Sequence, residues 1–178
     1  AWDRLGLPPM RLAVNLSARQ FRHLYLASMI EDSLRQNAIE PQRLEIELTE
    51  SLLMEDNDST RSMLESFRRL GVRMAIDNFG TGHSSLSYIR RFAIDTLKID
   101  ISFIADLETD PGDAAITEAI IGLARGLGLK VVAEGVETPA QLAFLQSVRC
   151  DEYQGFLTSR AIGVAEFERL LRRRTQLE

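Results

Sequence analysis

Six short apolar, β-branched runs punctuate the chain, at Arg11 to Leu16, Leu44 to Leu48, Val72 to Ile76, Thr96 to Ile99, Lys130 to Ala133 and, more weakly, Glu152 to Phe156. Their composition is that of buried strands. Between them the apolar residues change to helical spacing, as in Leu26, Met29, Ile30 and Leu34, then Met63, Leu64, Phe67 and Leu70, then Ile116, Ile120, Leu123 and Leu127. Each of these stretches has one apolar face. Gly71 and Gly128 mark helix ends just before a strand, while Asp113 and Thr138 are expected helix starts. Strand starts recur about every 20 to 35 residues, the length of one βα unit. The chain is therefore expected to be an α/β protein with a parallel sheet, built as one domain over residues 1–178.

A parallel sheet of six strands can be an open doubly wound layer or part of a barrel, and the polar residues separate the two. Asn15, Glu47, Asp77, Lys98 with Asp100, Glu134 and Gln154 each stand at or just beyond the carboxyl end of a different strand. An open sheet gathers its ligand contacts near one switch point, whereas a barrel brings all strand ends to one mouth. The pattern predicts a TIM-type (β/α)8 barrel, incomplete at its N-terminus, with six βα units visible. The chain opens Ala1-Trp2-Asp3 without an initiator methionine, so it reads as a piece of a longer polypeptide. Six strands alone are not expected to close neatly.

The balance of charge limits the partners. A formal net charge of −5 argues against a surface made to grip a long nucleic-acid backbone. Cys150 is the single cysteine, so neither an internal disulfide nor a thiolate zinc cluster can form, and a reducing cytoplasmic setting fits. No run approaches the roughly 20 apolar residues of a membrane span, and direct membrane contact is not expected. Cys150 reads as a small buried hydrophobe, and Arg172, Arg173 and Arg174 as the solvated end of a helix.

Asn15, Glu47, Asp77 and Glu134 offer hard oxygen ligands of the kind Mg²⁺ or Mn²⁺ prefers. Carboxylates converging with no cation would repel one another or shift their pKa values, so a bound cation gives them a reason to coexist. Any one of them alone could equally be a helix cap or a solvated loop carboxylate. Lys98 and Asp100 lie two apart on one strand and share a face. A lysine there can neutralise phosphate charge, take a proton from water once burial lowers its pKa, or serve only as an ion-pair partner.

The segments Asn15-Leu16-Ser17-Ala18-Arg19-Gln20-Phe21, Glu47-Leu48-Thr49-Glu50-Ser51, Ile76-Asp77-Asn78-Phe79-Gly80-Thr81-Gly82, Leu97-Lys98-Ile99-Asp100, Val132-Ala133-Glu134-Gly135-Val136-Glu137-Thr138 and Gln154-Gly155-Phe156 resemble, in order, the motifs of EAL domains. The resemblance implies a metal-dependent phosphodiesterase that hydrolyses cyclic di-GMP to a linear dinucleotide in bacterial second-messenger signalling. It implies that Asn15, Glu47, Asp77, Asn78 and Glu134 hold two Mg²⁺ or Mn²⁺ ions, with Asp77 shared. Catalytic roles fall to Lys98, Glu137 and Asp77, substrate contact to Gln154 and Asp100, and ordering of the loop from Asn78 to Ser85 to Glu50. It further implies a homodimer through the helix after that loop, and attachment to sensory or GGDEF-type domains.

Two departures from the family pattern bear on activity. Asn78 stands where a second aspartate is usual, which weakens the second metal site, and the first-strand glutamate that names the family is not in this sequence. A chain starting at Ala1 is therefore not expected to hydrolyse the dinucleotide by itself, although its parent can. A catalytically weak receptor for the same ligand is the alternative, and an enolase-like barrel that abstracts a proton with Lys98 is the alternative from another class. His83, where tyrosine is common, reads as loop variation.

Overall fold

The computed structural model describes all residues except 1, 3–5, 7–8, 55–56, 83–88, 90–91 and 176–178, and of 173–175 the backbone alone. Six parallel strands lie in the order β1 to β6: Leu12–Asn15, Leu44–Thr49, Arg73–Phe79, Thr96–Ile99, Lys130–Glu134 and Glu152–Gln154. Sequential parallel neighbours, with helices in the connections that follow β1, β2, β4 and β5, give the sheet of a half-barrel. Among the described residues the helices are α1 Ala18–Phe21, α2 Leu26–Gln36, α3 Glu50–Leu53, α4 Asp58–Leu70, α5 Ile101–Ala105, α6 Pro111–Leu127, α7 Pro139–Ser147 and α8 Val164–Thr175.

Side chains alternate across each strand. Ile46 and Leu48, Met74 and Ile76, Leu97 and Ile99, Val131 and Ala133 are buried and join one core with Leu64, Phe67, Ile120, Ile121 and Leu145 of the helices. Their neighbours, including Glu45, Glu47, Ala75, Thr96, Lys98 and Val132, are buried too and belong to the other, inner face. The strands are thus apolar towards the helices and largely polar inside, which is why their runs tolerate Glu and Lys.

A flat sheet of six strands would hold β1 and β6 about 24 Å apart, from a spacing of about 4.8 Å per strand. Arg11, next to β1, nevertheless reaches Glu152 of β6 at 2.8 Å, and its Nε lies 3.5 Å from Glu45 of β2. That contact requires a strongly curled sheet. Curling is not closure: among the described residues β1 pairs only with β2 and β6 only with β5. All four β1 residues are exposed, contrary to the buried strand expected, because an edge strand has no neighbour on one side. A mostly apolar hollow of about 720 Å³ lies along Leu12, Val14 and Ile30, away from the polar strand ends.

Local signals account for most helix limits. Gly71 and Gly128 end α4 and α6 in the left-handed conformation, at φ of +77° and +72°. Thr138 caps α7 as expected, in a reciprocal capping box with Gln141. The start of α6 differs from expectation: Asp110 caps it through a bond from the Gly112 N–H at 2.7 Å, with Pro111 in the first turn, so Asp113 lies inside the helix. β3 runs on to Phe79, with a register shift between Ile76 and Phe79 and Asn78 at φ +54°. Such irregularities re-aim side chains beside them. β4 ends at Ile99, so Asp100 is a helix cap rather than a strand residue.

Candidate active site

β2, β3, β4 and β5 each end with an ionisable side chain on the inner face, and these four meet. Lys98 Nζ lies 2.7 Å from Glu47 Oε1, 2.6 Å from Glu134 Oε1 and 3.6 Å from Asp77 Oδ1. The Lys98 and Glu47 side chains are only 6% and 5% exposed, and Asp77 and Glu134 are 13% and 18% exposed. Three carboxylates therefore surround one ammonium, an excess of negative charge in a poorly solvated place. Separate strands deliver each group, because parallel register sets Ile99 against Ala133 and Thr49 against Asp77.

Burial alone would lower the Lys98 pKa, but its hydrogen bonds to Glu134 and Glu47, and their charges, outweigh that and hold it above the usual 10.5. Lys98 is therefore an ammonium at neutral pH, and the expectation of a lysine whose pKa burial lowers is not met. Glu134 moves the other way for a carboxylate. Burial raises it, Lys98 opposes this, and the charges of Asp77 and Glu47 add to the rise, leaving it above the ordinary 4.5.

None of the other expected site residues is bonded to Lys98. Asn15, register partner of Glu47, and Gln154, register partner of Glu134, are exposed at the two outer strands. The Asn78 side chain is exposed, while its N–H donates to Asp77 Oδ1 at 3.1 Å. Asp100 Oδ1 accepts from the Ser102 N–H at 2.8 Å as cap of α5. The Glu137 side chain is exposed, and its N–H donates to Gln141 Oε1 at 2.7 Å. Glu50 is 7% exposed, and its Oε2 accepts from the Gly80 N–H at 3.2 Å. A Cβ on Gly82 would lie 2.8 Å from Glu50 Oε1, so a glycine lets the loop rest on this carboxylate. The rest of that loop from 83 to 85, His83 included, lies outside the described residues.

Among the described residues no three Asp, Glu, His or Cys side chains are set as a ready metal cage. The donor chemistry nevertheless fits a hard divalent cation: carboxylates from three strands already converge on one positive charge, and Lys98 supplies only a single unit of it. Cys150 is not a nucleophile candidate. Burial pushes its thiol up to about 11, and its Sγ lies 3.3 Å from the Glu152 carbonyl.

Sequence reasoning missed two groups. One is the ring two residues below the site, Glu45, Thr96 and Glu152 with Arg11 and Lys130, which strand periodicity counted back from Glu47, Lys98 and Gln154 would have revealed. The other is Gln141, legible as the fourth residue of a Thr-x-x-Gln capping box.

A family model described as EAL domain matches residues 1–161. The cyclic di-GMP phosphodiesterase NbdA of Pseudomonas aeruginosa is 47% identical over 167 residues, 94% of this chain and 21% of NbdA. The bifunctional diguanylate cyclase/cyclic di-GMP phosphodiesterase MucR of the same organism is 46% identical over 159 residues, 89% of this chain and 23% of MucR. The chain thus spans only about a fifth of these curated relatives. The solved phosphodiesterase of PaMucR in complex with c-di-GMP superposes with a TM-score of 0.85 at 46% identity, covering 88% of this chain and 64% of that one. A manganese/cy-diGMP complex of Klebsiella pneumoniae BlrP1 gives 0.81 at 36% identity, covering 89% and 41%.

Proposed function

From the premise that this chain belongs to the EAL domain family, we propose that it forms the strand-end mouth of a metal-dependent phosphodiesterase acting on cyclic di-GMP. The observation that carries this reading is the convergence of Glu47, Asp77 and Glu134 on Lys98. The c-di-GMP complex of PaMucR and the manganese complex of BlrP1 support the ligand and the class of metal. Residues 1–178 act as one domain in this reading, within a longer cytosolic polypeptide that carries sensory or GGDEF-type domains. The description of MucR as bifunctional supports such a partner domain. A dimer through the helix after the Asp77 loop belongs to the same proposal.

Glu47, Asp77 and Glu134, with the amide oxygens of Asn15 and Asn78, would hold Mg²⁺ or Mn²⁺. Such ions, when bound, supply positive charge to the phosphate and acidify a water molecule. Lys98, held as an ammonium, donates hydrogen bonds towards the charge that grows on the phosphoryl oxygens as one P–O bond forms to water and the ester P–O bond breaks. Glu134 and Glu47 fix its Nζ from two sides, so no reorganisation is needed when that charge appears. Gln154 and Asp100 flank the substrate, Glu137 supports the Lys98 side, and Glu50 keeps the loop after Asp77 in place through Gly80.

A second reading follows from Asn78, whose exposed, neutral side chain weakens a second cation site and leaves a receptor that binds without turnover. Cyclic di-GMP incubated with the parent protein and Mn²⁺ separates the readings. Linear dinucleotide that disappears in Glu47→Gln supports the enzyme, whereas saturable binding without product supports the receptor. Neither binding nor product removes both.

A further inference from the structure

Gln141 is 4% exposed at the first turn of α7, and all of its polar capacity is used. Its Oε1 accepts from the N–H groups of Glu137 at 2.7 Å and Thr138 at 3.0 Å. Its Nε2 donates to the carbonyls of Ile104 at 3.0 Å and Ala105 at 3.3 Å. A carboxamide offers two acceptor positions and two donors, so nothing is left for water. More than helix capping is involved, because capping requires only the Oε1 side.

The Nε2 bonds tie the loop after β5 to the far end of α5. That helix begins at the cap Asp100, two residues beyond Lys98, and the loop begins just past Glu134. Gln141 therefore fastens together the two segments that follow the partners of the 2.6 Å ion pair. Two contacts run the same way. A Cβ on Gly135 would collide with the Ile101 side chain, and Thr138 Oγ1 donates to Glu108 Oε1 at 2.6 Å.

We propose that Gln141 is a positioning residue for the phosphodiester site, holding the strand ends that carry Lys98 and Glu134 at their working separation through four hydrogen bonds shared between the β4 and β5 loops. This rests on the reading of the site as a phosphodiesterase. The test compares the full-length parent protein with Gln141→Met, which keeps the volume and removes the bonds, and with Leu145→Ala, which opens a cavity on the same helix and leaves all four bonds in place. Melting curves fix an assay temperature at which all three are folded. Gln141→Met is expected to lose roughly ten- to a hundredfold in kcat with the cyclic di-GMP KM changed less than about threefold, because misplacement of about 1 Å is that costly. Leu145→Ala is expected to keep its kcat. Equal kcat losses in the two variants, or none in Gln141→Met, overturn the proposal. Should Gln141→Met not fold, Gln141→Asn, which keeps the amide on a stem too short to span both loops, is held to the same outcomes. If the unaltered protein does not linearise cyclic di-GMP, the functional reading fails on its own, and Mn²⁺ affinity decides the clamp: a weakening of about fivefold in the Gln141 variant but not in Leu145→Ala sustains it, and equal affinities refute it.

Discussion

The inner face of the curled sheet carries two polar rows about 6.6 Å apart, two residues along each strand, and they treat charge in opposite ways. In the floor row Glu45 and Glu152 are met by Arg11 and Lys130 from further back along the strands: Arg11 lies 3.5 Å from Glu45 and 2.8 Å from Glu152, Lys130 lies 3.0 Å from Glu152, and Thr96 Oγ1 donates to Glu45 Oε2 at 2.9 Å. Each of these four charges has a protein partner of opposite sign. The mouth row sets three carboxylates against the one ammonium of Lys98. The floor is a finished structural network, whereas the mouth still attracts positive charge. Buried ion clusters are costly unless balanced, so a fold that balances one row and not the other indicates which row meets a ligand.

Removing Lys98 breaks this comparison most strongly. Lys98→Met should lower turnover of cyclic di-GMP by about 10²–10³, the cost of losing one preorganised donor at the reacting charge. Without divalent cations it should also lose about 3–5 kcal/mol of stability, as carboxylates are left buried and unpaired. Added Mn²⁺ should recover much of that loss in a melting experiment.

Arg11→Met strikes the floor instead and strands Glu45, which is 3% exposed. Its cost should be about 2–3 kcal/mol, below the fully buried case because Arg11 itself is partly exposed. Mn²⁺ should not repair it in denaturant titrations. Thr96→Val removes one hydrogen bond to the same carboxylate and should cost about 1–2 kcal/mol, with Mn²⁺ affinity unchanged by calorimetry.

The smallest effect is on acidity. Burial raises the Glu152 pKa, but the Lys130 hydrogen bond and the charges of Arg11 and Lys130 overcome this and hold it below the ordinary 4.5. A carboxylate lowered on folding adds stability that is complete above pH 4.5 and is lost as the pH falls through its lower folded value. Melting temperature should therefore decline less steeply on the acid side in Arg11→Met than in the unaltered protein.

The order of strands and helices was legible because alternation and helical spacing are local. The convergence of Glu47, Asp77, Lys98 and Glu134 was legible for a related reason: in parallel βα units, strand ends must share one side. What escaped was set by longer-range geometry. That β1 is exposed depends on what pairs with it, and a single strand's composition cannot say so. Asp100 was read by period two with Lys98, but the chain had already turned, and an aspartate before a helix is drawn to the free N–H groups there. Asp113 lost to Asp110 because Pro111 favours the first turn. For Lys98 the sequence offered a base with its pKa lowered by burial or an ion-pair partner, and only the two short carboxylate contacts decide between them.

Calorimetric titration of the parent protein with Mn²⁺ at neutral pH, beside Glu47→Gln and Asp77→Asn, tests the unbalanced mouth most directly. Saturable binding that each substitution weakens at least tenfold is expected, with Glu45→Gln on the floor leaving it intact. Binding that survives both mouth substitutions, or that never saturates in the unaltered protein, would contradict it.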